Sequence, residues 1–289
     1  MVASHGGTAT RQSLRDWCNI YDLCDIDVCK FDRGACDASS KVLSCIYETC
    51  QALGLSFVLG NLFVRNEYDS SKGGWSNLMS FSDQASSMDD LYLYISSVKS
   101  ITKELRAADE AGDHLKAARL LGIPECCAKF FSAVWPVASN SNGDLSTFSC
   151  ALTAEKQFPW KWETNITAQY FGMAPISFFP CSFMCPKAAH IGRASAQIMN
   201  RFDPAAFNSI RRKARGCFLF TESHGVHRWP HYSLRDGKVL LGADHIGTLH
   251  HEEYVSLEKI EFESPHNLRV YNSSDSFVLE GADVALCLF

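Results

Sequence analysis

Apolar residues recur at helical spacing through the middle of the chain and give way to short, strand-like runs after Cys217. Between Thr102 and Leu121 the residues Leu105, Ala108, Leu115, Ala118 and Leu121 fall mostly on one stripe, which predicts a buried helical face divided in two by Gly112-Asp113. Gly122 stands where a left-handed residue ends a helix and Pro124 where a first-turn proline opens the next. A second helix is therefore predicted from there to about Trp135, burying Cys127, Phe130, Phe131 and Val134. Cys185-Pro186 gives the same start signal, as N-cap and first helical residue, ahead of Ile191, Ala194, Ile198 and Phe202. Asp203-Pro204 then caps a helix that ends in Arg211-Arg212-Lys213-Ala214-Arg215-Gly216.

Nearer the N-terminus, Lys41 to Leu53 places Val42, Leu43, Ile46, Cys50 and Leu53 at helical spacing, and the Ser, Gly and Asp-rich stretch Asp69 to Asp90 reads as a long loop. Strands are predicted over Cys217 to Thr221, Val239 to Leu241, Lys259 to Phe262, Leu268 to Tyr271 and Phe277 to Leu288, with Asp236-Gly237 as a hairpin turn. No internal repeat is found. The expected fold is α/β of the α+β kind, a helical cysteine-bearing middle packed on a C-terminal, mostly antiparallel sheet. The expected organisation is an N-terminal α/β region over 1–100, with a flexible loop at 69–90, and a core over 101–289, helical to 215 and sheet from 216.

With 289 residues, 46% hydrophobic and 20% charged, the chain is long enough for a sizeable core and ordinary for a soluble globular protein. The longest apolar run, Leu53 to Val64, is broken by Gly60-Asn61 and is shorter than a membrane span, so no membrane partner is expected. A net charge of −5 supplies no global attraction for polyanions, which disfavours bulk nucleic-acid binding and leaves only a local patch, such as the Arg211 to Arg215 cluster. The simpler expectation for that cluster is cations complementing a helix C-terminus. Thirteen cysteines, an odd number, without an apolar signal core, point to a reducing compartment, read as cytoplasmic. Met1 to Arg15, with two arginines and no acid, has the composition of an organellar transit segment, though a frayed tail is the preferred reading. The six cysteines from Cys18 to Cys50 contain no C-x₂-C pair and read as buried thiols.

Two cysteine motifs carry the candidate chemistry: Ile123-Pro124-Glu125-Cys126-Cys127 and Phe179-Pro180-Cys181-Ser182-Phe183-Met184-Cys185-Pro186. Each opens a helix, where free N–H groups and the dipole favour the thiolate that binds metal. Cys181-x₃-Cys185 matches two of the three cysteines of the radical S-adenosylmethionine signature, but Ala188 occupies the third position. Neither pair has the C-x₂-C spacing of a zinc knuckle. Adjacent residues on a helix diverge by about 100°, so one of Cys126 and Cys127 is expected to ligate while the other packs. The site is thus expected to hold three or four thiolates, with His190, five residues after Cys185, as a candidate fourth ligand. Seven of ten histidines fall between His190 and His251. Glu222, His224, Asp244 and His245 lie at predicted strand ends and are the acid/base candidates, with at least one of His224 and His245 expected beside Cys181.

The segments Leu121 to Phe131 and Phe179 to Cys185 resemble a largely prokaryotic domain-of-unknown-function family carrying G-Y-P-x-C-C-x-x-F and P-C-S-F-x-C segments. Ile123 stands at that family's Tyr position, and the resemblance covers roughly Leu105 to Ile246. It implies a cysteine site and names no reaction. The sequence therefore predicts a metal-dependent enzyme with an iron–sulfur cluster, [4Fe-4S], acting on a small-molecule or carrier-tethered substrate. Two alternatives remain open: a structural-zinc binding module whose basic helix engages a partner, and a metal-free thiol-redox protein.

Overall fold

A computed structural model of the chain describes residues 28–31, 47–66, 79–82, 90–140, 144–153, 158–172, 174–221, 224–248, 252–264, 266–281 and 284–289. Met1 to Arg15, Cys18, Cys24, Cys36, Cys45, Glu222 and most of the 69–90 stretch lie outside them. The fold is mixed α/β with its C-terminal part built of antiparallel strands. Among the described residues no helix is long and apolar enough to cross a membrane. Two compact units are distinguished, one ending at Ser132 and one running from Ala133 to Phe289, and each has its own core.

The first unit is a four-stranded antiparallel sheet in the order β1-β4-β2-β3: β1 Val28–Phe31, β2 Ser56–Asn66, β3 Met79–Ser82 and β4 Asp90–Ser96. Strand β3 lies inside the stretch expected to be a loop, a correction with a clear cause: Met79 and Phe81 alternate with serines, a pattern hidden by the polar composition around it. The register of β2 against β4 shifts between Leu59 and Phe63, which places the Gly60-Asn61 interruption at an irregularity in the strand. Side chains alternate across β4: Tyr94 meets Leu105, Ala108 and Ala117, while Ile95 packs with Cys50, Leu55 and Phe57. The helices on the Tyr94 side are α1, Lys99–Glu110, and α2, His114–Leu120, divided at Gly112-Asp113 as expected.

The second unit stacks helices on one four-stranded sheet and that sheet on a five-stranded one. Strands β5 Cys217–Thr221, β6 Gly225–Trp229, β9 Ile246–Gly247 and β13 Val284–Leu288 form the first, in the order β13-β5-β6-β9. Strands β7 Tyr232–Arg235, β8 Lys238–Leu241, β10 Leu257–Ser264, β11 Asn267–Asn272 and β12 Ser276–Glu280 form the second, in the order β12-β11-β10-β8-β7. Asp236 and Gly237 both take positive φ, 50° and 73°, the paired left-handed geometry of a tight hairpin between β7 and β8. The run Phe277 to Leu288, expected to be one strand, is two strands in different sheets, because Gly281 at φ 124° turns the chain out of the first.

Period-2 alternation sorts the four-stranded sheet's residues into two cores. Leu219, Trp229, Leu286 and Leu288 face Val239, Ile260, Leu268 and Val270 of the other sheet. Phe218, Phe220, Ala285 and Cys287 face the opposite way, onto Cys150, Trp160, Ile166, Ile176 and Phe183. The helical layer contains α4 Ser146–Ala151, two 3₁₀ turns at Trp162–Thr164 and Ile166–Phe171, α5 Pro186–Phe202 and α6 Pro204–Lys213. Helix α5 runs so close to the first 3₁₀ turn that a Cβ on Gly192 would stand 2.0 Å from the Glu163 carbonyl oxygen. Gly192→Ala is therefore expected to destabilise by about 2 kcal/mol through this overlap, although alanine is otherwise the better helix former. A denaturant midpoint at or above the parent's would refute that contact.

Candidate metal centre

The first cysteine pair is delivered by a helix stop followed at once by a helix start. At the end of α2, Gly122 adopts φ 68°, the Ile123 N–H donates to the Ala118 carbonyl at 2.9 Å and the Gly122 N–H donates to Arg119 at 3.1 Å. These are the paired bonds of a glycine-terminated helix. The next helix, α3, spans Glu125–Ala138, and the Pro124 carbonyl accepts from Cys127 N–H at 2.8 Å and Ala128 N–H at 2.9 Å. Pro124 is thus the cap rather than the first helical residue. Cys126 and Cys127 occupy the first turn.

The second pair sits on a loop held in place by buried hydroxyls. The Phe183 N–H donates to Thr153 Oγ1 at 2.8 Å, and its carbonyl accepts from Thr164 Oγ1 at 2.6 Å. Ser149 Oγ donates to the Pro180 carbonyl at 2.6 Å. The Phe183 ring, fully buried between the two cysteines, stacks on Trp160 with centroids 5.4 Å apart and meets Phe289 edge-on at 5.1 Å. The loop ends with Cys185 as the N-cap of α5 and Pro186 in its first turn, as the sequence predicts, and no side-chain bond caps that helix.

The sulfurs of Cys126, Cys127, Cys181 and Cys185 all lie within 4.8 Å of one another, and those of Cys126 and Cys127 are 3.9 Å apart. A four-cysteine group thus stands at metal-binding distance, although about 55 residues separate its halves in sequence. The sulfurs of both members of the adjacent pair lie in the group, which is the four-cysteine arrangement of the two the sequence left open, so neither packs away from it. Divergence along the helix is compensated by side-chain rotation, because only the sulfur, one bond beyond Cβ, has to converge. Cys127 and Cys185 are buried, Cys181 is intermediate and Cys126 is exposed, so one edge of the group faces solvent. Two helix starts, those of α3 and α5, lie at the group.

His190 is exposed on α5 and is not part of the group; among the described residues no histidine or carboxylate joins the four sulfurs. Five helical positions carry it about 140° around the axis from Cys185. The other described cysteines of this unit are plain thiols. Burial pushes the Cys217 thiol up, and burial with the neighbouring Cys150 does the same for Cys287.

The strand-end candidates form a separate constellation. His224 Nδ1 lies 2.8 Å from Tyr254 Oη, and His245 Nε2 lies 3.0 Å from Nδ1 of His227. His227 is fully buried, stacked on Tyr254 at 4.1 Å, with its Nε2 3.0 Å from the His224 carbonyl oxygen and therefore donating to it. His227 is opposite Leu219 in register, and Tyr254 belongs to the core between the two sheets. Phe183 packs on the other face of the same sheet, so the sheet stands between these imidazoles and the loop that carries Cys181 and Cys185. Asp244 is exposed, 4.0 Å from the equally exposed His231.

Sequence reasoning named His227 only as part of the Glu222 to His227 strand-end segment, without placing it in the core, and did not single out the hydroxyls of Ser149, Thr153 and Thr164. The alternation of Val226, His227, Arg228 and Trp229 is the signal for His227, obscured by the Pro230 that follows. Nothing in the sequence marks the three hydroxyls, whose partners lie 19 to 31 residues away. Compared with protein-family models, with curated proteins and with solved structures, this chain matches none of them.

Proposed function

We propose that the chain is a binding module in which Cys126, Cys127, Cys181 and Cys185 hold one structural zinc ion and the cationic helix pair α5–α6 meets a partner. The observation that carries this reading is the mutual spacing of the four sulfurs, within 4.8 Å. Four thiolates on one tetrahedral ion, each bonded at about 2.3 Å, stand roughly 3.8 Å apart, close to the 3.9 Å between Cys126 and Cys127. A cubane cluster binds each thiolate to a different iron at the corner of an extended core, so its cysteine sulfurs radiate outward and need a wider spread. Four protein sulfurs also complete a tetrahedron, and closed sites are structural whereas catalytic ones keep a position open. The placement of the imidazoles on the far face of a sheet favours the same reading, because an acid/base group must reach the reacting atoms.

Metal analysis of protein purified anaerobically without chelator tests it. One zinc per chain and no visible absorption are expected. Several irons per chain with a broad band near ~400 nm, from thiolate-to-iron charge transfer, would restore the iron–sulfur enzyme reading. Full occupancy by neither metal would leave the thiol-redox reading.

A further inference from the structure

The chain's charge is unevenly distributed. Between Lys187 and Arg215 lie seven Lys and Arg and one acid, Asp203, a local balance of +6, while the remaining 20 cations and 31 acids leave −11. The segment is α5 and α6. Along α5 the exposed positions Lys187, His190, Arg193, Gln197 and Arg201 follow one another at spacings of three and four, a stripe about 21 Å long with no carboxylate in it. Arg211, Arg212 and Arg215 add an exposed cationic end to α6.

Cations in the last turn, Arg211, Arg212 and Lys213, complement the helix's own C-terminus, but they do not serve it alone. Arg228 of β6, buried beneath the helix, shares that role. Its Nε donates to the Arg215 carbonyl at 3.1 Å, and its Nη2 donates to Arg215 at 2.9 Å and to Arg212. Acidic neighbours of the surface arginines are few: Asp203 is engaged in capping the Ala206 N–H, and Glu163 is the carboxylate that acts on Arg215. Aromatic rings lie among the cations, with Arg215 over Trp162 and Arg201 over the exposed Phe202, each at 5.6 Å.

We infer that the outer face of α5 and α6 binds the phosphate backbone of a nucleic acid, a step that names the partner of the binding module and rests on that reading. Five of the seven cations are arginines, whose planar fork pairs two donors with a phosphate, and the adjacent rings offer stacking surfaces. An anionic membrane fits less well. An interfacial helix turns an apolar face to the lipid, whereas the apolar side of α5, with Ala188, Ala189, Ala196 and Ile198, is buried within the protein. The net charge of −5 keeps the attraction local to this face.

The test titrates the full, metal-loaded chain into a labelled oligouridylate and a duplex DNA, each about 20 nucleotides long, at roughly 50 and 200 mM salt. Vesicles with roughly 30% phosphatidylserine serve as the lipid probe. Binding to either oligonucleotide that weakens with salt is expected, and the preferred one identifies the source of the phosphate. The variant R193E/R201E/R211E should lose about 100-fold in affinity, with its salt slope reduced by about 2, while the control K103E/R235E, exposed cations elsewhere, binds as the parent does. If the triple variant misfolds, R193E and R201E singly should each lose about 5-fold. No binding at low salt, equal binding by variant and control, or capture by vesicles alone overturns the inference. Metal content, measured on the same samples, separates the two readings. Zinc present without nucleic-acid binding refutes only this partner, and its absence refutes only the zinc module.

Discussion

Replacing Cys185 with serine should release the metal and destabilise the fold by on the order of 4 kcal/mol, a fraction of the roughly 10 to 16 kcal/mol that structural zinc supplies to small domains. The sign matters more than the size. Cys185 is the N-cap of α5 with no side-chain capping bond, and serine is among the best residues at that position. If Cys185 were only a cap, Cys185→Ser would be neutral or would add about 1 kcal/mol. If it is a ligand, the loss of a sulfur from a group spanning 4.8 Å outweighs the better cap. Thermal unfolding with and without chelator distinguishes the two: the parent should lose stability to chelator and the variant should not. A variant as stable as the parent, with its metal in place, would remove Cys185 from the centre.

The second large effect is expected at Phe183. Its ring is fully buried against Trp160, Phe289 and the underside of the four-stranded sheet, and truncation to alanine leaves a cavity in a close-packed aromatic cluster. Phe183→Ala should cost about 4 kcal/mol and lower the melting temperature by roughly 10 °C. It should also weaken any metal affinity of the group, since the residue anchors the loop between Cys181 and Cys185. Phe183→Leu, which refills most of the volume, should recover much of both. Stability within about 1 kcal/mol of the parent for the alanine variant would show that the loop is held by its hydroxyl bonds alone.

How legible this molecule was in its sequence varied with the range of the interactions involved. Helix ends were readable because their causes are local: Gly122 ending α2, Pro186 opening α5 and Asp203 capping α6 all stand where dihedral preference and capping chemistry put them. The four cysteines of the candidate site were readable for the same reason, as paired thiols at helix starts. Pairing between distant strands was not. Nothing local states that β12 and β13 belong to different sheets, or that β6, unremarked beside Trp229-Pro230, carries a buried histidine against Tyr254. The expectation that strand-end histidines face the cysteines failed on a feature of the assembled fold, namely which side of a sheet each residue points to, and that depends on register.

The hydroxyls of Ser149, Thr153 and Thr164 bind only backbone atoms of the loop and its supports, and none is a ligand. The directions in which Cys181 and Cys185 leave the main chain are consequently set by folding, before any ion arrives. A preorganised half-site gives up little conformational freedom on loading, which strengthens affinity without another bond. It would also enforce geometry: under the zinc reading, an ion content with four sulfurs is accommodated as it stands, whereas one that demands six oxygens finds no such donors among the four cysteines, and three side chains that never touch the ion would hold that donor set in place.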